Sequence, residues 1–308
     1  MKKTFKILLF AVLALMAGMT ACDNNNPVDP PDDNPADTTI TTPPDTVVTP
    51  VDTIVNPADT VVEPVDTVVI PVDTIVEPVD TIVEPVDTID ITVLRLWQAG
   101  ETVSAEVVEA FGGIDKCFAA EPIPDGVWQR MQGKTYKENP YIGRNDLRHV
   151  RCLHWDYDDQ MHVGEMICNV SIADRLATIF RKLFDEKYPI QRMLLPDVYD
   201  ADDETQMRDN NSSCFCYRVI AGSTKLSKHA RGVAVDINTL YNPYYKDRSD
   251  GTRFIQPATA AAYCDRDWDF PYKIDHNDLC FRLFTGSGFE WGGDWTSCKD
   301  YQHFELIE

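Results

Sequence analysis

Two short segments carry residues that together could hold a metal ion. Residues 227–236 read Ser-Lys-His-Ala-Arg-Gly-Val-Ala-Val-Asp, and residues 300–303 read Asp-Tyr-Gln-His. Two imidazoles and one carboxylate make a three-ligand set of the kind used by catalytic zinc sites, where water takes the fourth position. The sequence therefore predicts one zinc ion bound by His229, Asp236 and His303.

Asp300 is the candidate for proton transfer, because it precedes His303 by three residues on the approach to the same predicted strand. Zinc lowers the pKa of a bound water molecule to about 7. A neighbouring group must still accept the proton. We therefore expect Asp300 to act as general base and later as general acid.

A predicted strand over residues 232–238 positions Asp236. Alternate side chains of a strand point to opposite faces, so Asp236 shares a face with Ala234, and the β-branched residues share the other. The odd seven-residue spacing would point His229 away from Asp236 on one unbroken strand. We expect the chain to bend at Gly232, where a bend costs least, with His229 in the loop that enters the strand.

The last predicted strand, residues 302–307, positions His303. Alternation groups His303 with Glu305 on one face, and it places Phe304 on the opposite face with the core. Both strands therefore have one apolar face and one face that carries functional groups.

The other predicted elements are irregularly interleaved. Ser171 and Asp174 are spaced as a capping box before a helix whose apolar residues lie on one stripe. Further elements are predicted as strands at 190–195 and 215–220, a polar loop at 200–213, and helices at 257–264 and 277–285. This order predicts a single α+β domain with a small, mainly antiparallel sheet flanked by helices, and a zinc cleft on the open sheet face.

The chain begins with features of an exported lipoprotein. Residues 1–21 combine three lysines with an apolar run, which is typical of a signal peptide, and small residues precede Cys22. We interpret Cys22 as a lipidated N-terminus that anchors the protein to a membrane facing the periplasm or the cell surface. The alternative is an ordinary signal peptide followed by an unrelated cysteine.

Residues 22–94 contain a seven-residue repeat of the form Asp-Thr-aliphatic-aliphatic-x-Pro-x. One proline per unit excludes a coiled coil. We interpret the segment as an extended stalk, which at about 3.1 Å per residue could reach on the order of 200 Å; a spacer without preferred length is the alternative. Each unit also resembles a bacterial O-glycosylation sequon, with these acceptors: Thr46, Thr53, Thr60, Thr67, Thr74, Thr81 and Thr88.

Charge and cysteine content restrict the partners. The net charge is −22, of which residues 23–94 hold 13 Asp and 3 Glu without any Lys or Arg. The predicted domain, residues 95–308, is therefore only mildly acidic, which argues against nucleic acid as a partner.

Eight cysteines follow Cys22 in the sequence. An oxidising compartment permits disulfides among them, but their spacing does not assign the pairs. We expect a monomer.

The motif Ser-x-His-x-x-Gly-x-Ala-x-Asp, followed by a carboxylate-x-x-His, resembles the D-alanyl-D-alanine carboxypeptidase family of zinc peptidases. That family includes VanY- and VanX-type enzymes and phage L-alanyl-D-glutamate endopeptidases. Residues 210–218, 236–244 and 288–295 also resemble it, so the likeness extends over roughly residues 160–308. Thr239 departs from the family, where proline often stands.

The resemblance implies roles for several residues. Besides the three zinc ligands and Asp300 as base, it implies that Arg218 polarises the scissile carbonyl and stabilises the oxyanion; the alternative is a structural salt bridge. It implies that Ser227 orders substrate or the His229 loop, and that Trp291, together with Trp295, lines the groove. Core packing is the alternative for either tryptophan.

The resemblance therefore implies zinc-dependent hydrolysis of peptidoglycan stem peptides, at a D-Ala-D-Ala or an L-Ala-D-Glu bond. A catalytically silent module that binds cell wall or peptide on the same fold is the main alternative. A general protein protease is weaker, since nothing in the sequence marks a pro-segment.

Overall fold

A long β-hairpin dominates the first part of the fold. The computed structural model describes residues 88–219 and 225–307. Strand β2 (Leu147–Trp155) pairs antiparallel with β3 (Met161–Asn169), and β1 (Ala119–Glu121) adds to the outer side of β2. Helices α1 to α3 precede or connect these strands at Thr92–Arg95, Ala105–Phe111 and Asp125–Met131. The hairpin gives residues before 160 a structural role that the sequence did not predict.

The predicted signal peptide, Cys22 and most of the stalk lie outside the described residues. The same holds for six of the seven threonines predicted as glycosylation sites. Thr88 is the exception, and it is exposed.

Helix α4 (Ala173–Asp185) covers the hairpin with the predicted apolar stripe. Leu176, Ile179 and Phe180 are buried in the main hydrophobic core. The predicted capping box is wrong, because the N-cap is Ile172. The Ser171 hydroxyl instead donates to the side-chain oxygen of Asn169 at 2.8 Å, so it is not available to the helix.

Two further three-stranded antiparallel sheets carry the C-terminal half. The first has the order β4-β9-β7, and the second has the order β6-β5-β8. In chain order the elements are α5 (Asp203–Arg208), β4 (Ala234–Asp236), β5 (Tyr244–Asp247), β6 (Arg253–Gln256), α6 (Leu279–Thr285), β7 (Phe289–Trp291), β8 (Lys299–Asp300) and β9 (His303–Leu306). Short 3₁₀ helices lie at Ile114–Cys117, Arg144–Asp146, Pro196–Tyr199, His229–Arg231, Ala258–Cys264 and Gly292–Asp294.

The core face of the β4-β9-β7 sheet packs with α4. Val235, Ile237 and Phe304 belong to the same buried cluster as the helix stripe. The predicted core faces of both strands are therefore confirmed. Burying these side chains fixes the opposite face of the sheet, where Asp236 and His303 lie.

Two predicted strands do not form. Over residues 190–195, side-chain amides replace a strand partner, since Asn211 bonds both the N–H and the carbonyl of Leu194. Over residues 215–219, the described part of the second predicted strand, the N–H groups of Phe215, Cys216 and Tyr217 bond to three different segments, so no ladder develops. The predicted polar loop at 200–213 contains α5, whose N-cap Asp202 accepts from the N–H of Thr205 at 2.8 Å.

The remaining predictions of structure agree with the observed architecture. The helix at 277–285 and the last strand are confirmed, and the predicted helix at 257–264 is a 3₁₀ helix over Ala258–Cys264. The α+β class with small antiparallel sheets is confirmed. No helix within the described ranges is long and apolar enough to cross a bilayer.

The domain cysteines are mostly core residues. Seven of them are buried and form no disulfide with any described residue: Cys117, Cys152, Cys168, Cys214, Cys216, Cys264 and Cys280. Burial raises the pKa of the Cys152 and Cys214 thiols, which keeps them protonated and unreactive.

Candidate metal centre

The β4-β9 pairing brings Asp236 and His303 directly opposite each other. His229 enters from the 3₁₀ turn before β4, and the predicted bend at Gly232 is confirmed by its φ of 69°. A Cβ on Gly232 would also lie 2.7 Å from the backbone nitrogen of Asn169. The left-handed conformation and this close approach to β3 both require glycine here.

The three predicted ligands converge on one point. His229 Nε2 lies 3.2 Å from Asp236 Oδ2, and His303 Nδ1 lies 3.0 Å from Asp236 Oδ1. The two facing ring nitrogens, His229 Nε2 and His303 Nδ1, are 3.1 Å apart. Among the described residues, this trio is the group of histidine, cysteine and carboxylate side chains that could hold a metal ion.

Hydrogen bonds outside the trio set the tautomers of both histidines. His229 Nδ1 lies 2.7 Å from the Cys214 carbonyl, and His303 Nε2 lies 3.0 Å from Glu305 Oε2. Both outer partners are acceptors, so these ring nitrogens carry the protons. The two inner nitrogens then present lone pairs to each other, an arrangement that requires a cation or a proton between them. The donor set therefore fits a zinc ion.

The charges of the site favour a cation at the same point. Burial alone would raise the pKa of Asp236. The two neighbouring histidines outweigh burial and hold that pKa well below its usual range. Burial also opposes the shift at His303, whose bonds to Asp236 and Glu305 raise its pKa well above the ordinary value. Without a metal, a proton on the imidazole therefore supplies the positive charge that the carboxylates attract.

We expect Glu305→Ala to weaken zinc binding by about 10-fold to 100-fold, because loss of such outer partners of a ligating histidine has effects of that size. Glu305 accepts from the outer nitrogen of His303 and so orients the ring. Zinc affinity of the full-length protein can be measured by competition with a chelating dye.

Glu290→Gln is the matched control, because Glu290 pairs directly with Glu305 across β7 and β9. It removes a neighbouring charge without removing the acceptor of His303. An equal loss of affinity in both variants would contradict an orienting role and would indicate a general effect of charge.

Asp300 ends β8 beside the trio. A Cβ on Gly292 would lie 2.8 Å from Asp300 Cβ and 3.3 Å from His303 Cβ, so both side chains border this glycine. Asp300 Oδ1 is buried and has no hydrogen-bond partner. Burial raises the pKa of Asp300 to about 7; His303 opposes this rise and Asp236 adds to it. Asp300 is thus the carboxyl beside the trio that could exchange a proton.

Ser227 and Arg218 are linked to the His229 turn. The Ser227 hydroxyl accepts from the N–H of His229 at 3.1 Å, which agrees with ordering of this loop. The N–H of Ser227 donates to the Arg218 carbonyl. Arg218 Nη2 forms an ion pair with Asp203 Oδ2 at 2.9 Å, and its side chain is 39% exposed. In this structure Arg218 therefore makes the salt bridge that was the alternative to a role in catalysis.

Trp291 is a core residue and does not line a groove. Its pairing partner in β9 is Phe304, so it lies on the apolar face of the sheet and not on the face of His303. It is buried, and its Nε1 donates to the Tyr301 carbonyl at 2.9 Å. Trp295 is partly exposed, and its ring centroid lies 5.2 Å from that of His303. Of the two tryptophans, Trp295 is the one beside the site.

Three of the remaining histidines have carboxylate partners that the sequence did not reveal. The pairs are His149–Glu165, His162–Asp156 and His276–Asp294. None of these pairs belongs to a trio that could hold a metal ion within the described residues. These three histidines are therefore core or surface residues that pair with carboxylates and take no part in the trio.

Comparison with known proteins finds a family match in the region of the chain that contains the trio. A family model described as D-alanyl-D-alanine carboxypeptidase matches residues 221–306. The match contains His229, Asp236, His303 and Asp300 and begins after Arg218, so it is shorter than the likeness predicted from the motifs. Searches of curated proteins and of solved structures returned no significant match. The match supports a peptidase, and the family is a metallopeptidase family.

Proposed function

We propose that this protein is a zinc metallopeptidase that hydrolyses peptide bonds in the stem peptides of peptidoglycan. The observation that carries the proposal is the trio itself, in which bonds to Cys214 and Glu305 turn the inner nitrogens of both imidazoles toward each other and toward the Asp236 carboxylate. The family match over the same residues supports the proposed substrate class. The bond is of the D-Ala-D-Ala or the L-Ala-D-Glu type.

In this proposal His229, Asp236 and His303 hold the zinc ion. Bound zinc supplies Lewis acidity, which polarises a carbonyl and makes water acidic enough to lose a proton near neutral pH. Asp300 Oδ1 is buried, unpaired and adjacent, so it accepts that proton and later delivers it to the leaving amine. Aspartate is shorter than glutamate, and its position beside Gly292, which also borders His303 Cβ, brings the short side chain close to the trio.

Arg218 has a proposed role in stabilising negative charge on the scissile carbonyl. Its ion pair with Asp203 uses Nη2, and its partly exposed side chain retains further N–H groups. The Arg218 backbone is held by Ser227, which also orders the His229 turn. A donor from this segment would thus be fixed relative to the metal ligands.

We also propose that the chain is exported and anchored to a membrane through Cys22, with residues 22–94 as a stalk that carries the domain to the cell wall. The repeated Asp-Thr-aliphatic units support O-glycosylation of the stalk threonines. Intact mass spectrometry of the exported protein tests both modifications. A mass equal to that of the unmodified mature chain would contradict them.

Digestion of defined muropeptides tests the function itself. The full-length protein, loaded with zinc, is incubated with a disaccharide pentapeptide, and the products are identified by mass spectrometry. Loss of terminal alanine indicates a carboxypeptidase, and release of the peptide from its first alanine indicates an endopeptidase. Binding of the muropeptide without any cleavage would support the catalytically silent module instead.

A further inference from the structure

The β6-β5-β8 sheet extends from the candidate site as a surface with its own chemistry. Tyr244 pairs directly with both Asp300 and Gln256, and Lys246 pairs with Phe254. Directly opposed residues project to the same side, as do alternate residues of one strand. One face of the sheet therefore carries Asp300, Tyr244, Gln256, Lys246 and Phe254, and we call it the hairpin face.

The hairpin face points away from the core. Tyr245, on the opposite side of the sheet, packs against the main core and lies 6.0 Å from the Tyr301 ring. Phe254, on the hairpin face, is 37% exposed. Its ring lies 6.1 Å from that of Tyr244. An aromatic surface thus continues outward from the residue that pairs with Asp300.

The outer part of the hairpin face carries basic residues, in a chain whose net charge is −22. The Arg248 guanidinium lies 5.3 Å from the Phe254 ring centroid. Lys246 is partly exposed and has no ion-pair partner among residues 88–219 and 225–307. Asp247, the nearest carboxylate along β5, points to the opposite side and pairs there with Arg253 at 2.5 Å. The positive charge of Lys246 is therefore not neutralised on its own face.

We propose that the hairpin face is a substrate subsite in which Lys246 binds a carboxylate of the stem peptide. This subsite depends on the proposed function and identifies the part of the substrate that the protein recognises. Lys246 is two residues along β5 from Tyr244, which is about 7 Å. An extended peptide covers that distance in about two residues. Because Tyr244 is itself one strand spacing, about 5 Å, from Asp300, the recognised carboxylate belongs to a residue about two or three positions from the scissile bond, and Tyr244 and Phe254 cover its aliphatic part.

The test compares two stem peptides that differ only in charge: one with free side-chain carboxylates, and one with the same carboxylates amidated. We expect wild-type protein to show a KM roughly fivefold lower for the free acid, as expected for one partly exposed ion pair. Lys246→Met should abolish that preference by raising KM for the free acid, with kcat unchanged. Lys246→Arg should retain the preference.

Lys182→Met, on the exposed side of α4, is the matched control and should behave as wild type. Equal KM values of the wild type for both peptides, or a preference that survives in Lys246→Met, would overturn the subsite while leaving the peptidase proposal intact. Failure of the wild type to cleave either peptide would instead overturn the proposed function, and the subsite with it. Melting temperatures of all variants verify that the fold is retained.

Discussion

Replacing Asp300 by asparagine should leave zinc binding intact and slow peptide hydrolysis by roughly 100-fold to 10,000-fold, the range typical of losing a general base. Asp300 is not a member of the trio that could hold the metal. Its unpaired Oδ1 is nevertheless buried beside His303. The variant therefore separates proton transfer from metal binding, and zinc content and kcat measured on the same preparation report the two properties.

The pH dependence of the wild-type rate is a second test of the role of Asp300. Asp300 must be unprotonated to accept a proton, so the rate should rise with pH through its pKa. Burial raises that pKa to about 7 in the absence of a metal ion, and the charge of bound zinc will lower it. The acidic limb of the profile should therefore lie below pH 7 and should be missing from the residual activity of Asp300→Asn.

Asp294→Asn is the matched control for Asp300→Asn. Asp294 is an exposed carboxylate in the turn after β7, pairs with His276 and is not a member of the trio. It should retain full activity. If Asp300→Asn were equally active, the base would have to be another carboxylate, and Glu305 and Glu290 would be the next candidates on that face of the sheet.

Replacing His229 by alanine should abolish both zinc binding and hydrolysis. Removing one of three protein ligands leaves an incomplete site, and His229 Nε2 faces both Asp236 and His303. The expected zinc content falls from about one ion per chain to less than about 0.1, with no activity restored by moderate excess zinc. Elemental analysis of the dialysed full-length protein measures this directly.

His276→Ala is the control for His229→Ala, because His276 also pairs with a carboxylate but is exposed and outside the trio. It should retain its zinc. A His229→Ala protein that kept a full equivalent of zinc and its activity would show that the metal, if present, is bound elsewhere.

Local periodicity was sufficient to predict much of the site. The odd spacing between His229 and Asp236, with Gly232 between them, predicted a bend followed by a strand, and the structure has both. Alternation along the last strand placed Glu305 on the face of His303, where it accepts the outer N–H of that imidazole. These features depend on a few consecutive residues, so they can be predicted from the local sequence alone.

Long-range register was not predictable in the same way. Trp291 lies in the core because β7 pairs with β9 in the register that opposes Trp291 to Phe304. The Arg218–Asp203 ion pair depends on α5, a helix whose mostly polar residues predicted a loop. The failed strand at 190–195 depends on Asn211 from a distant segment. Each outcome is set by a partner that no local pattern identifies.

Zinc-dependent cleavage of a defined muropeptide by the full-length protein is the most direct test of the central claim. The protein is stripped with a chelator, dialysed, and assayed by mass spectrometry before and after addition of one equivalent of zinc. We predict no cleavage by the stripped protein and recovery of a single cleaved bond as zinc approaches one ion per chain. Cleavage at full rate without zinc, or none after zinc is restored, would contradict the account.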